Sequence, residues 1–318
     1  MNILYASDDG FARIMSISIA TLLKKHMEDE INIFIITSNI SEKYIKVIEG
    51  LFNNPKHNIF WVSMPEIDIP LETDRGSLAQ YGRLFFDRLI PENIQRLIYL
   101  DCDTLIEENL RELWVTDLGE NTIGIARDAF SDRYKKLLGL EKNSELFNSG
   151  VMIIDRGSWN EKRIEDKIID LLTEKRGRIS QGDQGVIDVI FQNDAKILDP
   201  KWNSMSSYFD FTYDDFIKYR QVKEFYSKQL ILEAIQKPAI VHFTSSFLNN
   251  RPWIFGSTHR YKNHWRRVEL ELYDNNQTLN PKSLFLKHLY NRLPNKLAIS
   301  FFGFLQGSLR PVVKRIKG

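Results

Sequence analysis

The sequence predicts an α/β fold in which a mostly parallel central sheet is flanked by helices. Three observations predict it. Short apolar runs alternate with stretches of helical period along most of the chain. Polar residues suited to chemistry stand just past the ends of the apolar runs. The 318 residues, 43% hydrophobic and 27% charged, suffice to bury one large core.

The elements follow in order. "NILYAS" is a first strand, and residues 11–26 then carry apolar side chains at 11, 14, 15, 19, 22 and 23, a helical spacing. "INIFII" is a second strand, followed by a helix over "SEKYIKVIEGLF" with Ser41 as its N-cap. "NIFWVS" is a third strand. "SLAQYGRLFFDRLI" is expected as a helix stopped by Pro91. "RLIYLD" is a fourth strand, and "TIGIAR", "LFNSGVMIID", a long helix over 158–175 and "AIVHFT" complete the pattern. Beyond Tyr273 the periodicity weakens, and "DNNQTLNPKS" reads as a linker. The expected organisation is therefore one α/β domain over 1–273 and a tail over 274–318.

Cys102 is the only cysteine, which excludes an internal disulfide framework and suits a reducing compartment. "MNILYASDDG" lacks the basic and apolar regions of a signal peptide, and no uncharged apolar run reaches 18 residues, so a cytoplasmic protein is expected. From Asn275 onward there are eight basic residues and no acidic one, in a chain of net charge +1. The rest of the chain is therefore acidic, which disfavours nucleic acid as a partner. In the tail Leu284, Phe285, Leu289, Leu293, Leu297, Ile299, Phe301, Phe302, Phe304 and Leu305 interleave with lysines and arginines. That pattern suits peripheral contact with an anionic membrane surface. An amphipathic helix packed on the domain is the other reading.

In open α/β sheets ligands bind beyond the carboxyl ends of the strands. Asp8 and Asp9 follow the first strand, Asp101 and Asp103 the fourth, and His242 ends "AIVH". In "YLDCDTLI", residues i and i+2 of an extended segment share a face, so Asp101 and Asp103 can share a partner. Two bare carboxylates repel, and a divalent cation removes the conflict; a solvated turn is the plainer alternative. Cys102 alternates to the opposite face and reads as packing. With His242 added, Mn²⁺ becomes plausible beside Mg²⁺. Neither GxGxxG nor GxxxxGK[ST] occurs, so metal and basic side chains such as Arg83 and Arg251 must hold any phosphates.

The ordered set "YASDDGF", "LAQYGRLFFDRLIP", "RLIYLDCDTLI", "LFNSGVMIID", "GDQGVID" and "IVHFTSS…NRPW" resembles glycosyltransferase family 8, retaining enzymes of the Rossmann-like GT-A fold. It is most similar to bacterial galactosyl- and glucosyltransferases of lipooligosaccharide and capsule. The resemblance implies that Asp101, Asp103 and His242 bind Mn²⁺, which bridges the diphosphate of a UDP-sugar. It implies uridine contacts at Ala6 and Asp8, diphosphate and sugar contact at Arg83, and sugar hydroxyls held by Asp128 and Asn148. Asp183 and Gln184 would line the β-face of the transferred sugar. Asp9, Cys102, Ser149, Ser245 and Arg251 complete the implied substrate-binding set. Two departures stand out. Gly10 has no side chain for the ribose, and "HFTSSFLNNRPW" is three residues longer than the family's HFxGxxKPW, with Ser245 for Gly and Arg251 for Lys.

The implied reaction is transfer of galactose or glucose, with retention, to a lipid-linked or lipooligosaccharide glycan, or to a glycoprotein. Gln184 would steady the sugar cation while the acceptor attacks from the leaving-group face; Asp183 as a nucleophile is less favoured. The rival enzyme class is a haloacid dehalogenase-like phosphatase, whose strand-end DxD nucleophile motif "DCDTL" imitates, with Asp101 as nucleophile.

Overall fold

The computed structural model describes residues 1–72, 77–248, 250–279 and 284–317. The chain opens with β1 (Asn2–Ser7), α1 (Asp9–Lys25), β2 (Ile31–Thr37), α2 (Glu42–Glu49) and β3 (His57–Ser63). After two short 3-10 turns come β4 (Arg96–Leu100), β5 (Thr104–Ile106), α3 (Arg111–Trp114), β6 (Ile123–Arg127), α4 (Asp132–Leu137) and β7 (Phe147–Asp155). Then follow α5 (Arg156–Glu161), α6 (Ile164–Glu174), α7 (Asp183–Ile190), β8 (Ala195–Ile197), β9 (Ser204–Met205), α8 (Ser206–Asp210), α9 (Tyr213–Arg220) and α10 (Lys228–Gln236). The last elements are β10 (Ile240–His242), α11 (Lys262–Leu272), α12 (Leu284–Arg292), α13 (Asn295–Phe304) and α14 (Arg310–Lys317).

The central sheet has the order β3-β2-β1-β4-β7-β6-β8. Its pairs are parallel except those of β7, which runs antiparallel to β4 and to β6. Side-chain alternation sends the strands into two cores. Ile3, Tyr5, Ile33, Ile35, Ile98 and Leu100 pack on one face beneath α1. Leu4, Phe34, Ile36, Leu97 and Tyr99 pack on the other, against α6 and α7. Both faces are dry, which is why the strands read as continuous apolar runs.

Residues 77–90 do not form the expected α-helix. They coil as 3-10 turns, Leu78–Leu84 and Phe86–Arg88. Tyr81, Gly82, Arg83, Leu84, Phe85 and Phe86 are all buried in succession. An α-helix at a surface needs a polar face, and this run has none to offer. The expected helix over 158–175 is broken between α5 and α6, where Arg163 takes a left-handed conformation at φ 52°. Ser41 does stand at the N-cap of α2, but its side chain makes no capping bond.

Residues 274–279 fold back on the domain. The Leu279 N–H donates to Trp253 O at 2.8 Å, and Gln277 N–H to Glu269 Oε1 at 3.1 Å. Positions 280–283 of the expected linker lie outside the described residues, as do the side chains of Leu284 and Phe285. The tail helices pack on the domain through Ala298, Ile299 and Phe302, which are buried. The Phe302 ring stacks on Phe247 at 4.1 Å between centroids. Phe247 sits in the longer loop after His242, so that loop supplies the tail's anchor.

Removing the Phe302 ring should leave a cavity at this anchor. Phe302→Ala is expected to lower unfolding free energy by about 3 kcal/mol, read from urea denaturation. It should also open the tail to limited proteolysis. An unchanged midpoint and an unchanged digestion pattern would show that the tail is not part of the cooperative unit.

Candidate active site

The strand order reverses between β1 and β4: β2 and β3 lie to one side of β1, and β4 with all later strands to the other. A crevice at such a switch point is where open sheets bind ligands. Here it opens as a cleft of about 510 Å³. Every candidate chosen from the sequence lines it except Asp9. The Asp9 carboxylate instead accepts from Ser41 N–H at 2.7 Å, which holds the start of α2 against α1. Asp8 caps α1 by accepting from Gly10 N–H.

A second, smaller sheet delivers His242. β5 begins one residue after Asp103 and pairs antiparallel with β10, which sets His242 opposite Thr104. The Phe243 N–H donates to Asp103 O at 2.8 Å, closing the approach. His242 Nε2 then lies 3.2 Å from Asp103 Oδ1 and 3.5 Å from Asp101 Oδ2. One ligand atom from each of the three residues falls within 4.8 Å of the other two.

These residues fit a divalent cation. Asn203 Nδ2 donates to Asn148 Oδ1 at 2.8 Å, so Asn203 Oδ1 is an acceptor. His242 Nδ1 lies 2.9 Å from that oxygen and must donate. When the ring is neutral, its Nε2 lone pair therefore faces the carboxylates, as in a metal-ligating histidine. Gly150 makes room for the cluster. A Cβ there would sit 2.1 Å from His242 Cε1 and 2.9 Å from Asp101 Oδ2.

The charges compensate one another. Burial opposes the charged form of His242, but the two carboxylates outweigh it and push its pKa up to about 9. Asp101 is held well below the usual carboxylate range, against burial, by Arg83 and His242. Asp103 is lowered, against burial, by His242 and Arg251. Burial pushes the Cys102 thiol up, and its Sγ donates to Ala6 O at 3.4 Å at the cleft's edge.

Arg83 links this cluster to the rest of the cleft. Its Nη2 donates to Asp101 Oδ1 at 2.6 Å and its Nη1 to Ser149 O at 2.9 Å. Its Nε lies 3.1 Å from Asp183 Oδ2. Beyond it, Asn148 Nδ2 donates to Asp128 Oδ2 at 2.9 Å, and Gln184 Nε2 reaches the same oxygen at 3.4 Å. Arg251, despite the longer loop, reaches Asp103 Oδ2 at 3.3 Å and Phe243 O at 2.8 Å. Ser245 is exposed at the mouth.

Two contributors carry no signal in the sequence. Asn203, in "KWNSM", is fully buried and joins His242 to Asn148. The Tyr99 hydroxyl donates to Asp101 Oδ1 at 2.8 Å from within an apolar strand. The phosphatase reading is not favoured. It needs an open Asp101 oxygen for attack, whereas Oδ1 is taken by Arg83 and Tyr99 and Oδ2 faces His242.

Two outcomes follow from this geometry. With metal chelated, His242 contributes stability that is complete below about pH 6.5. That stability is lost as the pH rises through about 9. Thermal unfolding of chelated protein should fall across this window, and the shift produced by added Mg²⁺ or Mn²⁺ should grow, because the metal replaces the proton. Gly150→Ala should weaken metal binding by about tenfold or more while the protein stays folded, as measured by calorimetry.

The match to known proteins agrees with the geometry. The family model for glycosyl transferase family 8 matches residues 2–255. A putative glycosyltransferase of Haemophilus influenzae is 31% identical over 210 residues, 64% of this chain and 63% of that protein. The lipopolysaccharide 1,2-glucosyltransferase of Escherichia coli is 23% identical over 209 residues, 64% of this chain and 62% of that protein. Among solved structures, the galactosyltransferase LgtC bound to donor and acceptor sugar analogs superposes with a TM-score of 0.71 at 22% identity. It covers 90% of this chain and 100% of its own, which establishes the GT-A fold. The chain belongs to glycosyltransferase family 8.

Proposed function

We propose that this protein is a retaining hexosyltransferase. It moves galactose or glucose from a UDP-sugar to a hydroxyl of a cell-surface glycan precursor, with Mn²⁺ as its metal. One observation carries the reading: an unbroken hydrogen-bonded path joins the metal-ligand cluster to a group of polar side chains farther along the same cleft. It runs from His242 through Asn203 and Asn148 to Asp128 and Gln184. A site that only hydrolysed phosphate would need its first half alone. The names of the glucosyltransferase relative and the galactosyltransferase neighbour support a hexose.

Uridine lies at Ala6 and Asp8, where β1 ends. Asp101, Asp103 and His242 hold the metal, which when bound neutralises charge on the departing diphosphate. Arg251 adds positive charge on the same side. Arg83, bonded to Asp101, Asp183 and Ser149, holds the two carboxylates in place while the C1–O bond breaks. Charge then develops on the sugar as an oxocarbenium ion. Asp128 and Asn148 hold sugar hydroxyls. The Gln184 amide spends its N–H bonds on Asp128 and on Gln181 Oε1, at 3.4 and 3.2 Å, leaving its carbonyl for the cationic carbon. The acceptor oxygen forms its bond on the face UDP leaves, and its proton passes to the departing phosphate oxygen. Asp183, paired with Arg83, is a poor nucleophile for double displacement.

The 274–318 tail serves as a peripheral membrane contact at the inner face of the membrane. Among the described residues no helix is long and apolar enough to cross one. Leu297, Phe301, Phe304, Val312 and Val313 are exposed beside the exposed bases Lys296 and Arg315. Such a face suits an anionic lipid surface and brings a lipid-linked acceptor to the cleft.

The reading is tested by a screen of UDP-sugars for Mn²⁺-dependent hydrolysis, followed by NMR of the anomer formed. Asp103→Ala should abolish metal-dependent transfer, and near-full activity would refute the metal assignment. Gln184→Ala should lower kcat by about a hundredfold without abolishing turnover. Replacing Phe301 and Phe304 by serine in the full chain should reduce sedimentation with anionic vesicles; equal binding sinks the membrane role.

A further inference from the structure

The end of the cleft beyond Asp128 is built differently from the metal end. Its wall comes from Phe130, Tyr134, Arg220, Gln306, Arg310 and Lys314. Half of these belong to the C-terminal tail, which is clasped there. Ser131 Oγ donates to Gly307 O at 2.6 Å, and Arg133 Nη1 to Ser308 Oγ at 2.7 Å. On the other side Gln221 Nε2 donates to Gly303 O at 3.0 Å and its Oε1 accepts from Ser308 Oγ at 2.9 Å. The tail makes a π-helical turn at Leu305–Leu309 between these clasps, and α14 leaves it with Arg310 and Lys314 on the cleft.

Each carboxylate of the cleft has partners of its own. Asp101 and Asp183 share Arg83, and Asp103 has His242 and Arg251. Asp128 is bonded by Asn148, Gln184 and Ala129 N–H. Arg220 and Arg310 form no ion pair among the described residues. Arg220 is only 6% exposed, and its Nε is buried without a hydrogen-bond partner. Its guanidinium lies over the Phe130 ring, 5.2 Å from the centroid. A buried guanidinium without an anion is costly, and it sits where an anion can enter.

We infer that this end of the cleft is an acceptor subsite for a sugar carrying an oxyanion, a phosphate or a carboxylate, bound by Arg220, Arg310 and Lys314. The inference rests on the donor-site reading above. The donor's own diphosphate belongs at Asp101, Asp103 and Arg251, so the second anion is the acceptor's. The tail thus completes the acceptor site.

The test is calorimetry on the full chain, with Mn²⁺ and UDP added to saturation first. Methyl glucoside, methyl glucuronide and glucose 6-phosphate are then titrated in turn. At least one charged sugar should bind about tenfold tighter than the neutral one, and added salt should weaken it. The sugar phosphate binding tighter identifies a phosphorylated acceptor, and the glucuronide binding tighter a uronate. Arg310→Gln/Lys314→Gln, on an exposed helix, should remove most of the preference, and Arg220→Gln the rest. Equal affinity for charged and neutral sugars, no binding of either charged sugar, or a preference that survives Arg310→Gln/Lys314→Gln overturns the inference. Absence of the initial UDP binding event overturns the donor-site reading instead.

Discussion

A buried guanidinium holds the two halves of this cleft together. Arg83 is 6% exposed and cannot give up its charge, so its surroundings must supply anions and acceptors. It takes Asp101 from the candidate metal-ligand cluster, Asp183 from the start of α7 and the Ser149 carbonyl from β7, and it lies over the Tyr99 ring. Removing one partner of such a pair leaves the other buried and uncompensated, a loss of about 3–5 kcal/mol. The position of Arg83 explains the unusual 3-10 coil of its segment. That coil trades helical regularity for burial on all sides, and it aims the guanidinium between two distant pieces of chain.

The candidate metal-ligand cluster is an arrangement of registers. Asp101 and Asp103 come from one strand end, but His242 arrives only because β10 pairs with β5 and sets it opposite Thr104. Asn203 then selects its tautomer, and Gly150 leaves the space beneath it. Each of these is a local requirement, met by a different element, and together they leave little freedom for the imidazole.

The C-terminal tail is woven into the same logic. The longer loop after His242 carries Arg251 to Asp103 and Phe247 to Phe302. One departure from the family pattern thus serves the site and the tail at once. The tail's inner face belongs to the aromatic cluster of α8 and α9, its outer face exposes Phe301 and Phe304, and its last helix borders the cleft.

Much of this was legible in the sequence. The strands were, because both faces of the sheet are dry and each strand is an unbroken apolar run. The aspartate pair was, because an i, i+2 spacing places both carboxylates on one face whatever lies around them. His242 was singled out by its place at a strand end and by resemblance. What the sequence left undecided needed three dimensions. The expected helices over 77–90 and 158–175 gave way because burial from all sides and a left-handed turn at Arg163 outweigh local periodicity. Asp9 lies next to Asp8 in the chain but turns away to Ser41, since adjacent residues at a helix start diverge. Asn203 has no motif at all. The tail's composition suited both a membrane and a core; its packing buries one face against the domain and leaves Phe301 and Phe304 exposed on the other. Pattern and spacing declare which residues are able to do chemistry. Only the pairing of distant strands and the burial of charges decide which of them meet.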